Sequence, residues 1–599
     1  MTRPLRIASL VKQIPDAETL TLGPDGRLVR RGLRLEMNAY CRRAVSKGVE
    51  LARDTGGTCT VFTLGPPSAE DVLREAIAWG ADDGILISDP ALAGSDTLAT
   101  ARALAAALAA SGPFDLILAG RNSVDGDTGQ VGPEVAQLLD LPFATGVRVL
   151  SLDGETVRAE LETDDGVDEV DVALPAVLSV AERLCEPCKV DPEGRAAVAP
   201  ERIAVMMAAA LGPGPWGDAG SPTKVGAVRP MTHTRDRLVF AGDHAGEVEK
   251  AVDELVRRGA LSQAAAPLLP AAAATPNAVG HREMVAVVVE HDRLPAAREL
   301  IGAARRLADE WGGTVTAVAP EGIATTDLGA AGADHVVVLT GSRVAEDVAA
   351  TLLPWLATTR YRALLAPSTA YGREVASRLA AARGDGLIGD AVALDIRDDT
   401  LVAAKPAFAG ALVADITSTS ALTLVTVRPG VLPLPTARQE AHPTVTVLPV
   451  DTRQRVRVLS ERRNDDVETL ARARTVIGVG AGVAPDEFEM LSPLAAVLGA
   501  ELGATRKVTD KGWAPRARQI GLTGRALSPR LYVAVGLSGK FNHMVGIRSA
   551  GTIVAINEDI DAPVFSSCDI GLVGDWHQVV PLLTAALRTR AAADLSSTN

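Results

Sequence analysis

The sequence LYVAVGLSGKFNHMVGI at residues 531–547, followed by TIVAINED at 552–559 and GLVGDW at 571–576, decides the fold of the C-terminal part of the chain. With TVIGVG at 475–480, each short apolar run ends in Gly, Ser, Asn or Asp. Such runs are typical of buried parallel strands whose carboxyl ends carry ligand-binding loops. The pattern therefore predicts a nucleotide or cofactor site.

The polar residues of these loops indicate the kind of ligand. Ser538, Gly539 and Asn542 have little side-chain bulk, so their backbone amides can approach a phosphate or a ribityl chain. His543 can donate to a carbonyl, and Arg506 is permanently positive. A flavin ring is stabilised by a donor at N5 and by positive charge near N1 and O2. Each residue alone is more often structural or solvated, but their grouping favours a flavin site.

The segments LTGRALSPRLYVAVGLSGKFNHMVGI and TIVAINEDIDAPVF closely resemble the FAD-binding domain of the electron transfer flavoprotein alpha subunit, over about residues 475–587. The resemblance implies that Arg506 lies over the flavin ring and that Thr523 hydrogen-bonds N5. It assigns the cofactor site as a whole to Thr505, Arg506, Ile520, Gly521, Leu522, Thr523, Ser538, Gly539, Lys540, Phe541, Asn542, His543, Asn557, Asp575 and Trp576.

Two positions depart from the family pattern. The GGRG loop of the family is VGAG here, which places Ala481 where an Arg is expected, and QTG is LTG, which places Leu522 where a Gln contacts the flavin. Loss of one cation and one donor near the ring predicts a flavin reduction potential below that of typical members.

Length and composition exclude several classes of protein. The 599 residues predict three to five domains, and the 47% hydrophobic and 22% charged residues are typical of a globular protein. A net charge of -14 argues against nucleic-acid binding. Five scattered cysteines do not make a disulfide framework. The absence of a signal-like or membrane-length apolar run favours the cytoplasm and no membrane insertion.

The N-terminal part alternates strands with helices of ten to fifteen residues, which predicts a doubly wound parallel sheet. Its most informative loop is GRNSVDGDTGQVGP at residues 120–133. A glycine-rich turn from a strand into a helix presents free amides to a phosphate. Asp and Thr also cap helices without any ligand, and both interpretations remain open on the residues alone.

Together, SLVKQIPD, NAYC, AWGADDGI and this loop resemble the electron transfer flavoprotein beta subunit, from residue 6 to about residue 224. The resemblance implies a bound AMP, or a second FAD as in electron-bifurcating members. The loop is similar to the one in the electron-bifurcating members, whereas Cys41 matches the members that bind AMP. Both AMP and a second FAD therefore remain possible ligands. The implied pocket comprises Leu10, Asn38, Ala39, Tyr40, Cys41, Leu64, Asn122, Ser123, Asp125, Gly126, Asp127, Thr128, Gly129 and Gln130.

The order of strand and helix segments predicted for the first domain recurs after an Ala- and Pro-rich linker. The second copy has STAYGRE in place of the acidic glycine-rich loop, so we expect it not to bind the same nucleotide. It resembles the N-terminal domain of the alpha subunit, and short strands after residue 385 predict an antiparallel extension. The predicted domains are a beta-like nucleotide-binding domain (1–263), the linker (264–280), the alpha-like N-terminal domain (281–451), a charged hinge (452–468) and the FAD-binding domain (469–599).

The fold class is thus α/β, with two similar doubly wound parallel-sheet domains and a C-terminal Rossmann-like FAD-binding domain. The resemblance implies an electron carrier with no catalytic residue of its own, working between a flavin-dependent dehydrogenase and a quinone oxidoreductase or another redox protein. The loop after AERLCEP lacks the leucine that docks onto acyl-CoA dehydrogenases in the family, which leaves the donor open. Cys185 and Cys188 form a single CxxC pair, which is weak evidence for a metal, and we expect free thiols.

Two alternatives remain. One is an electron-bifurcating flavoprotein with two FAD molecules. The other is a nucleotide-binding scaffold or sensor without redox activity, which the altered positions Ala481, Leu522 and Cys188 suggest. A free-standing dehydrogenase lacks support, because the sequence shows no general-base constellation.

Overall fold

Alternating strands and helices give the chain an α/β architecture, as the sequence predicts. The computed structural model describes residues 3–15, 34–164, 166–230, 235–262, 284–408, 410–439, 441–463, 469–470, 473–521 and 524–597. The chain folds into two compact units, of which the first comprises residues 1–230, 267–408 and 412–462, and the second comprises residues 231–266, 409–411 and 463–599.

The elements up to residue 262 alternate as the sequence predicts. The strands are β1 (Arg6–Leu10), β2 (Gln13–Pro15), β3 (Leu35–Met37), β4 (Thr58–Leu64), β5 (Asp83–Ile87), β6 (Leu116–Gly120), β7 (Phe143–Asp153), β8 (Thr156–Glu162), β9 (Gly166–Ala173), β10 (Ala176–Val180), β11 (Ile203–Met206), β12 (Thr223–Pro230) and β13 (Leu238–Phe240). The helices are α1 (Ala39–Thr55), α2 (Glu70–Trp79), α3 (Thr97–Ser111), α4 (Val131–Leu138), α5 (Pro192–Ala196) and α6 (His244–Arg257).

A second series of elements follows from residue 284. Its strands are β14 (Met284–Val288), β15 (Thr314–Pro320), β16 (His335–Gly341), β17 (Tyr361–Pro367), β18 (Leu387–Ala391), β19 (Ala393–Arg397), β20 (Thr400–Ala407), β21 (Leu412–Ser418), β22 (Thr423–Val427), β23 (Thr444–Val450) and β24 (Val456–Arg463). Its helices are α7 (Leu294–Glu310), α8 (Thr325–Ala331), α9 (Ala345–Thr358) and α10 (Ala370–Arg383).

The first unit contains two large sheets with the same core topology. The ten-stranded sheet has the order β11-β5-β4-β1-β6-β10-β7-β8-β9-β24, and the seven-stranded sheet has the order β18-β22-β17-β14-β15-β16-β23. The run β5-β4-β1-β6-β10-β7 of the first sheet corresponds strand by strand to β16-β15-β14-β17-β22-β18 of the second. The internal duplication that the sequence predicts is therefore present in the topology.

The antiparallel extension is smaller than predicted. Strands β19, β20 and β21 pair antiparallel and are joined by β12 in a four-stranded sheet. Strands β18 and β22, which we expected in the same extension, instead pair parallel within the seven-stranded sheet. Their burial on both faces explains this placement, because a strand covered on both faces belongs in the interior of a parallel sheet.

The segment predicted as a charged hinge is an edge strand over most of its described length. Strand β24 lies next to β9, and most of its side chains are exposed. The Arg455 Nε atom lies 2.7 Å from Glu346 Oε1, and Arg457 Nη2 lies 2.6 Å from Asp171 Oδ2. Residues 464–468 of the predicted hinge and the predicted linker at 264–280 lie outside the described residues.

The second unit has one parallel sheet with the order β13-β29-β28-β27-β25-β26. Its own strands are β25 (Thr475–Val479), β26 (Glu501–Ala504), β27 (Leu531–Val535), β28 (Thr552–Asn557) and β29 (Ile570–Val573), and its helices are α11 (Ser492–Leu498), α12 (Arg506–Asp510), α13 (Phe541–Met544) and α14 (Trp576–Ser597). Strand β13 pairs with β29, and α6 packs against α14. Residues 235–262 therefore lie with the second unit, unlike the sequence-based boundary at residue 263.

The central strands of this sheet are buried on both faces. Ile477, Val533 and Val535 pack on one face with residues of α6 and α14. Tyr532 and Ala534 point to the opposite face, where Phe565 and Ile547 cover them. Alternate side chains of one strand thus enter two cores, which is why these strands appear as continuous apolar runs in the sequence.

Within the described parts of the chain, none of the helices combines the length and the apolar character that crossing a bilayer requires.

Candidate functional site

A cavity of about 980 Å³ lies at the carboxyl ends of β25 to β29 in the second unit. The chain passes from β25 to β26 on one side and then returns to β27 on the other side of β25. Open α/β sheets bind ligands at such a switch point, in the crevice beyond the strand ends. The cavity is at the upper end of the range of about 300–1,000 Å³ that ligand pockets occupy.

Glycines form the narrowest part of this crevice. The Gly482 amide donates to the Gly536 carbonyl at 2.9 Å, and the Gly480 amide donates to Val535 O at 2.9 Å. A Cβ atom on Gly480 would collide with the backbone of Gly536. The two loops after β25 and β27 therefore touch backbone to backbone, which leaves the space above them for a ligand.

The cavity brings together most of the residues that the sequence assigns to FAD. They are Thr505, Arg506, Ile520, Ser538, Gly539, Lys540, Asn542, His543, Asn557, Asp575 and Trp576. Gly521 follows Ile520 but is not among the lining residues. Leu522, Thr523 and the side chain of Phe541 lie outside the described residues. Ala481, where the family pattern has an Arg, does line the cavity.

Charges of both signs surround the cavity. The cationic side chains are Arg506, Lys507, Lys511 and Lys540, and the acidic ones are Asp510, Glu558, Asp559 and Asp575. The Arg506 Nε atom lies 3.0 Å from Asp510 Oδ2, one turn along α12. Arg506 lines the cavity and its side chain is about half exposed.

Both ring nitrogens of His543 contact other groups of the protein. Its Nε2 atom lies 2.7 Å from the Tyr532 hydroxyl, and its Nδ1 atom lies 3.2 Å from the Ile520 carbonyl oxygen. Burial lowers the pKa of His543 to about 4, so the ring is neutral at pH 7.

His577 is a site residue that the sequence analysis missed. Its Nδ1 atom lies 2.7 Å from Asp575 Oδ1, its Nε2 atom lies 3.0 Å from Glu487 Oε1, and its ring stacks on Trp576 at 3.9 Å. Hydrogen bonds to Asp575 and Glu487 raise the pKa of His577. Its position directly after Asp575 and Trp576, both assigned to the site, is the signal that would have identified it.

The predicted nucleotide loop of the first unit lies at the equivalent place in its sheet. β1 lies between β4 and β6, so Leu10, Leu64 and the residues after Gly120 all come from neighbouring strand ends. The Asn38 amide donates to Asn122 O at 2.9 Å and its oxygen accepts from the Val124 amide at 3.2 Å. Asn38 thus joins the start of α1 to the loop.

The loop residues themselves are held by several side-chain contacts. Lys12 Nζ lies 2.8 Å from Asp125 Oδ2, and Asn122 hydrogen-bonds Asp127. The pKa of Asp125 is lowered by Lys12 despite burial. Gln130 is buried, with its oxygen accepting from the Thr97 hydroxyl at 2.8 Å, so its side chain is committed to packing.

Cations from the second half of the first unit surround the same loop. Lys405 Nζ donates to Gly126 O at 2.5 Å, and Arg428 pairs with Asp390 at 2.5 Å. A Cβ atom on Gly129 would lie 3.8 Å from Cδ of Arg373. Burial lowers the pKa of Lys405. Lys405 and Arg373 thus bring cationic side chains next to a loop whose predicted ligand carries phosphate.

In the second copy, the loop that corresponds to the predicted nucleotide loop is the one before α10, and a carboxylate of the protein contacts it. Ala370, the first residue of α10, donates its amide hydrogen to Asp164 Oδ2 at 2.7 Å. The Thr369 hydroxyl accepts from the Gly372 amide at 3.0 Å. The amino end of α10 therefore already has an anionic partner within the protein.

All five cysteines are free. Cys188 is buried and Cys185 is partly buried, and burial raises the pKa of Cys185 to about 11 and that of Cys188 to about 12. Thiols with raised pKa values are poor metal ligands and weak nucleophiles at neutral pH.

Two family models match the chain. The model of the electron transfer flavoprotein domain matches residues 25–207 and again residues 285–453. The model of the electron transfer flavoprotein FAD-binding domain matches residues 469–548. The two matches of the first model fall on the two large sheets of the first unit, and the second model covers β25, β26 and β27.

Each of three curated relatives matches about half of the chain or less. The chain is 35% identical over 319 residues to Protein FixB of Bradyrhizobium diazoefficiens, which covers 50% of this chain and 86% of that protein. The chain is 34% identical over 305 residues to the electron transfer flavoprotein subunit alpha of Thermoanaerobacterium thermosaccharolyticum. This match covers 48% of this chain and 92% of that subunit. The chain is also 34% identical over 258 residues to the electron transfer flavoprotein subunit beta from the same organism. This match covers 42% of this chain and 97% of that subunit.

Fold and site define an α/β protein with a cofactor cavity at the switch point of its C-terminal sheet. The chain belongs to the electron transfer flavoprotein family, and it is similar to both subunits within one polypeptide.

The residues present fit the FAD of this family. The glycine contacts between the loops after β25 and β27 leave room for a ligand above the sheet, and a cavity of about 980 Å³ is available there. FAD, when bound, supplies the redox chemistry by taking up and releasing electrons. Arg506, Lys507, Lys511 and Lys540 are the groups in this cavity that can balance its negative charge.

Proposed function

We propose that this chain is a fused electron carrier, in which FAD in the second unit takes electrons from a flavin-dependent dehydrogenase. A quinone oxidoreductase or another redox protein is the proposed acceptor. The observation that carries the proposal is the cavity at the carboxyl ends of β25 to β29, within the part of the chain that matches the FAD-binding domain. Buried free thiols are compatible with a reducing cytoplasm, which is our proposed location.

The first unit is proposed to bind one further nucleotide at the loop around residues 122–130, either AMP or a second FAD. Lys405 and Arg373 support this, because cations beside a glycine-rich loop favour a phosphate group. A carrier needs one redox-active cofactor, whereas electron bifurcation needs two. The identity of this nucleotide therefore separates the two variants of the proposal.

The test is the nucleotide content of the purified chain. We expect one FAD and one further nucleotide per chain, measured by flavin absorbance and by chromatography of the nucleotides that denaturation releases. AMP as the further nucleotide would support the simple carrier. Two FAD molecules per chain would support the bifurcating variant. A chain that holds no flavin even after reconstitution would overturn the proposal in favour of a scaffold or sensor.

The flavin potential is a second property that the proposal specifies. Ala481 lines the cavity where the family pattern has an Arg, so the cavity lacks a cation at this position. We propose that the potential is lower than in typical members, and that Ala481→Arg raises it because a positive charge stabilises the reduced anion. Spectroelectrochemical titration of both proteins measures this, and an unchanged potential would contradict the role of position 481.

A further inference from the structure

The predicted nucleotide loop at residues 122–130, in the first copy of the repeated fold, contacts the second copy through two consecutive backbone carbonyl groups. The Phe408 amide, directly after β20, donates to Asp125 O at 3.0 Å. Lys405 Nζ, on β20 itself, donates to Gly126 O at 2.5 Å. The end of one strand of the second copy therefore binds two neighbouring peptide groups of the loop.

These two contacts determine which way the loop backbone faces. The C=O and N–H groups of a trans peptide point in opposite directions, so the amides of Gly126 and Asp127 point away from β20. The Gly126 amide donates to Asp125 Oδ1 at 2.8 Å, and the Asp127 amide donates to Ser123 O at 2.7 Å. The loop is thus held by its own turn on one side and by β20 on the other.

The end of the loop also lies against the second copy. Gln130 Nε2 lies 3.5 Å from Leu387 O on β18. A Cβ atom on Gly389 of the same strand would lie 2.7 Å from Gln130 Nε2, so a glycine leaves the room that this side chain occupies. The contact between the loop and the second copy therefore extends from residue 125 to residue 130.

Two features of the end of β20 favour a binding role over simple packing. Phe408 has a φ of 50°, in the left-handed region, which is costly for a bulky residue and is typical of functional sites. Lys405 Nζ also donates to Pro406 O at 3.0 Å, and both of its carbonyl partners are neutral. Neither partner cancels the charge of the ammonium group, which can attract a phosphate group near the loop.

We propose that the two copies share the nucleotide site of the first copy, and that Lys405 of the second copy is a positioning residue that holds the loop backbone for the nucleotide. The second copy thereby contributes to binding without a nucleotide loop of its own. The inference rests on the proposed function for the nucleotide, whereas the contact between Lys405 and Gly126 is a property of the chain without ligand.

The first test is the affinity of the nucleotide-depleted full chain for AMP, measured by isothermal titration calorimetry. We expect Lys405→Met to weaken AMP binding by about tenfold or more, because a charged hydrogen-bond donor is lost. Lys405→Arg keeps the charge and should restore most of the affinity. Lys224→Met is the matched control, since Lys224 pairs with Asp218 at the surface of the first unit. An unchanged affinity in Lys405→Met would overturn the inference.

Hydrogen exchange measured by mass spectrometry separates local positioning from a general loss of stability. Without AMP, we expect faster exchange in Lys405→Met at residues 120–133 and 401–408, and unchanged exchange at residues 284–320. Lys224→Met should exchange like the unmodified chain at all three segments. Faster exchange throughout the first unit would contradict a local role of Lys405.

The unmodified chain provides a test even if Lys405→Met does not fold. We expect AMP to slow exchange at residues 401–408 as well as at 120–133, because the Phe408 amide is bonded to the loop. Protection confined to residues 120–133 would overturn the shared site. A chain that binds neither AMP nor a second FAD, but whose loop exchanges faster in Lys405→Met, would contradict the proposed nucleotide and confirm that Lys405 holds the loop.

Discussion

Asp164 accepts a hydrogen bond from the backbone amide of Ala370 at 2.7 Å. This contact joins the hairpin between β8 and β9, in the first copy of the repeated fold, to the first residue of α10 in the second copy. The loop before α10 corresponds by topology to the predicted nucleotide loop of the first copy. A carboxylate supplied by the protein therefore stands where a phosphate would be expected, which gives a physical reason for two similar sheets to have different roles.

Removal of the Asp164 charge should destabilise the first unit modestly. We expect Asp164→Asn to cost about 0.5 kcal/mol and Asp164→Ala about 1 kcal/mol, because a carboxylate at a helix start interacts with both the free amide and the helix dipole. Urea denaturation of the full chain measures the change. Asp153→Asn, at an exposed hairpin turn, is the control, and an equal loss in that variant would show that the contact with Ala370 is unimportant.

Arg235 should be essential for the attachment of residues 235–262 to the second unit. Its Nη1 atom lies 2.7 Å from Asp569 Oδ2, and its Nη2 atom donates to Arg548 O at 2.8 Å. Asp569 is buried and the side chain of Arg235 is 9% exposed, and removal of one partner of a buried ion pair costs about 3–5 kcal/mol. We expect a loss at the lower end for Arg235→Ala, since Arg258 also approaches Asp569 at 3.3 Å.

Thermal unfolding followed by tryptophan fluorescence checks this prediction. Arg257→Ala is a matched control, because Arg257 lies in the same segment but pairs with Glu254 at the surface and is 67% exposed. No measurable change is expected in that variant. If both substitutions lowered the midpoint equally, the buried contacts of Arg235 would not account for the effect.

The close backbone contact between Gly480 and Gly536 predicts that a larger residue at position 480 destabilises the second unit. We expect Gly480→Ala to destabilise the second unit by about 1–3 kcal/mol and to weaken FAD binding, because the added methyl group meets the backbone of Gly536 and forces the loops apart. Flavin retention during gel filtration and urea denaturation are the measurements. Retention of flavin and stability by the variant would show that the loops can separate without cost.

Gly246→Ala serves as the opposite control for this substitution. A Cβ atom at Gly246 would lie at an ordinary contact distance of 3.4 Å from Asp243 Oδ2, within α6. Alanine is favoured over glycine in a helix by up to about 1 kcal/mol. The same chemical change should therefore stabilise the second unit at this position and destabilise it at Gly480.

The sequence predicts the parts of this molecule that depend on local pattern. Strands β25, β27, β28 and β29 are recognisable because burial on both faces makes them continuous apolar runs, and their loops mark the cavity. The membership of β13 is not recognisable, because three residues pair with β29 more than three hundred positions away. The state of His543 also depends on Tyr532 and Ile520, whose contacts arise only when the strands assemble.

The last prediction concerns the dependence of stability on pH at His577. The pKa of His577 is raised by its hydrogen bonds to Asp575 and Glu487, while the pKa values of both carboxyl groups are lowered. A raised pKa means that the contribution of His577 is fully present below its ordinary pKa of about 6.5, and that it is lost as pH rises through the raised value. The two carboxylates contribute above about pH 4.3 and lose that contribution as pH falls through their lowered values.

The stability difference between the unmodified chain and His577→Gln should therefore be largest between about pH 4.5 and 6.5, and it should decrease as pH rises further. Urea denaturation at pH 5.5 and at pH 9 measures the two ends of this range. His442→Gln, an exposed histidine of the first unit, controls for the general effect of removing an imidazole. A difference that grows from pH 5.5 to pH 9 would mean that the neutral ring, and not its ion pairs with Asp575 and Glu487, holds the residues at the edge of the cavity.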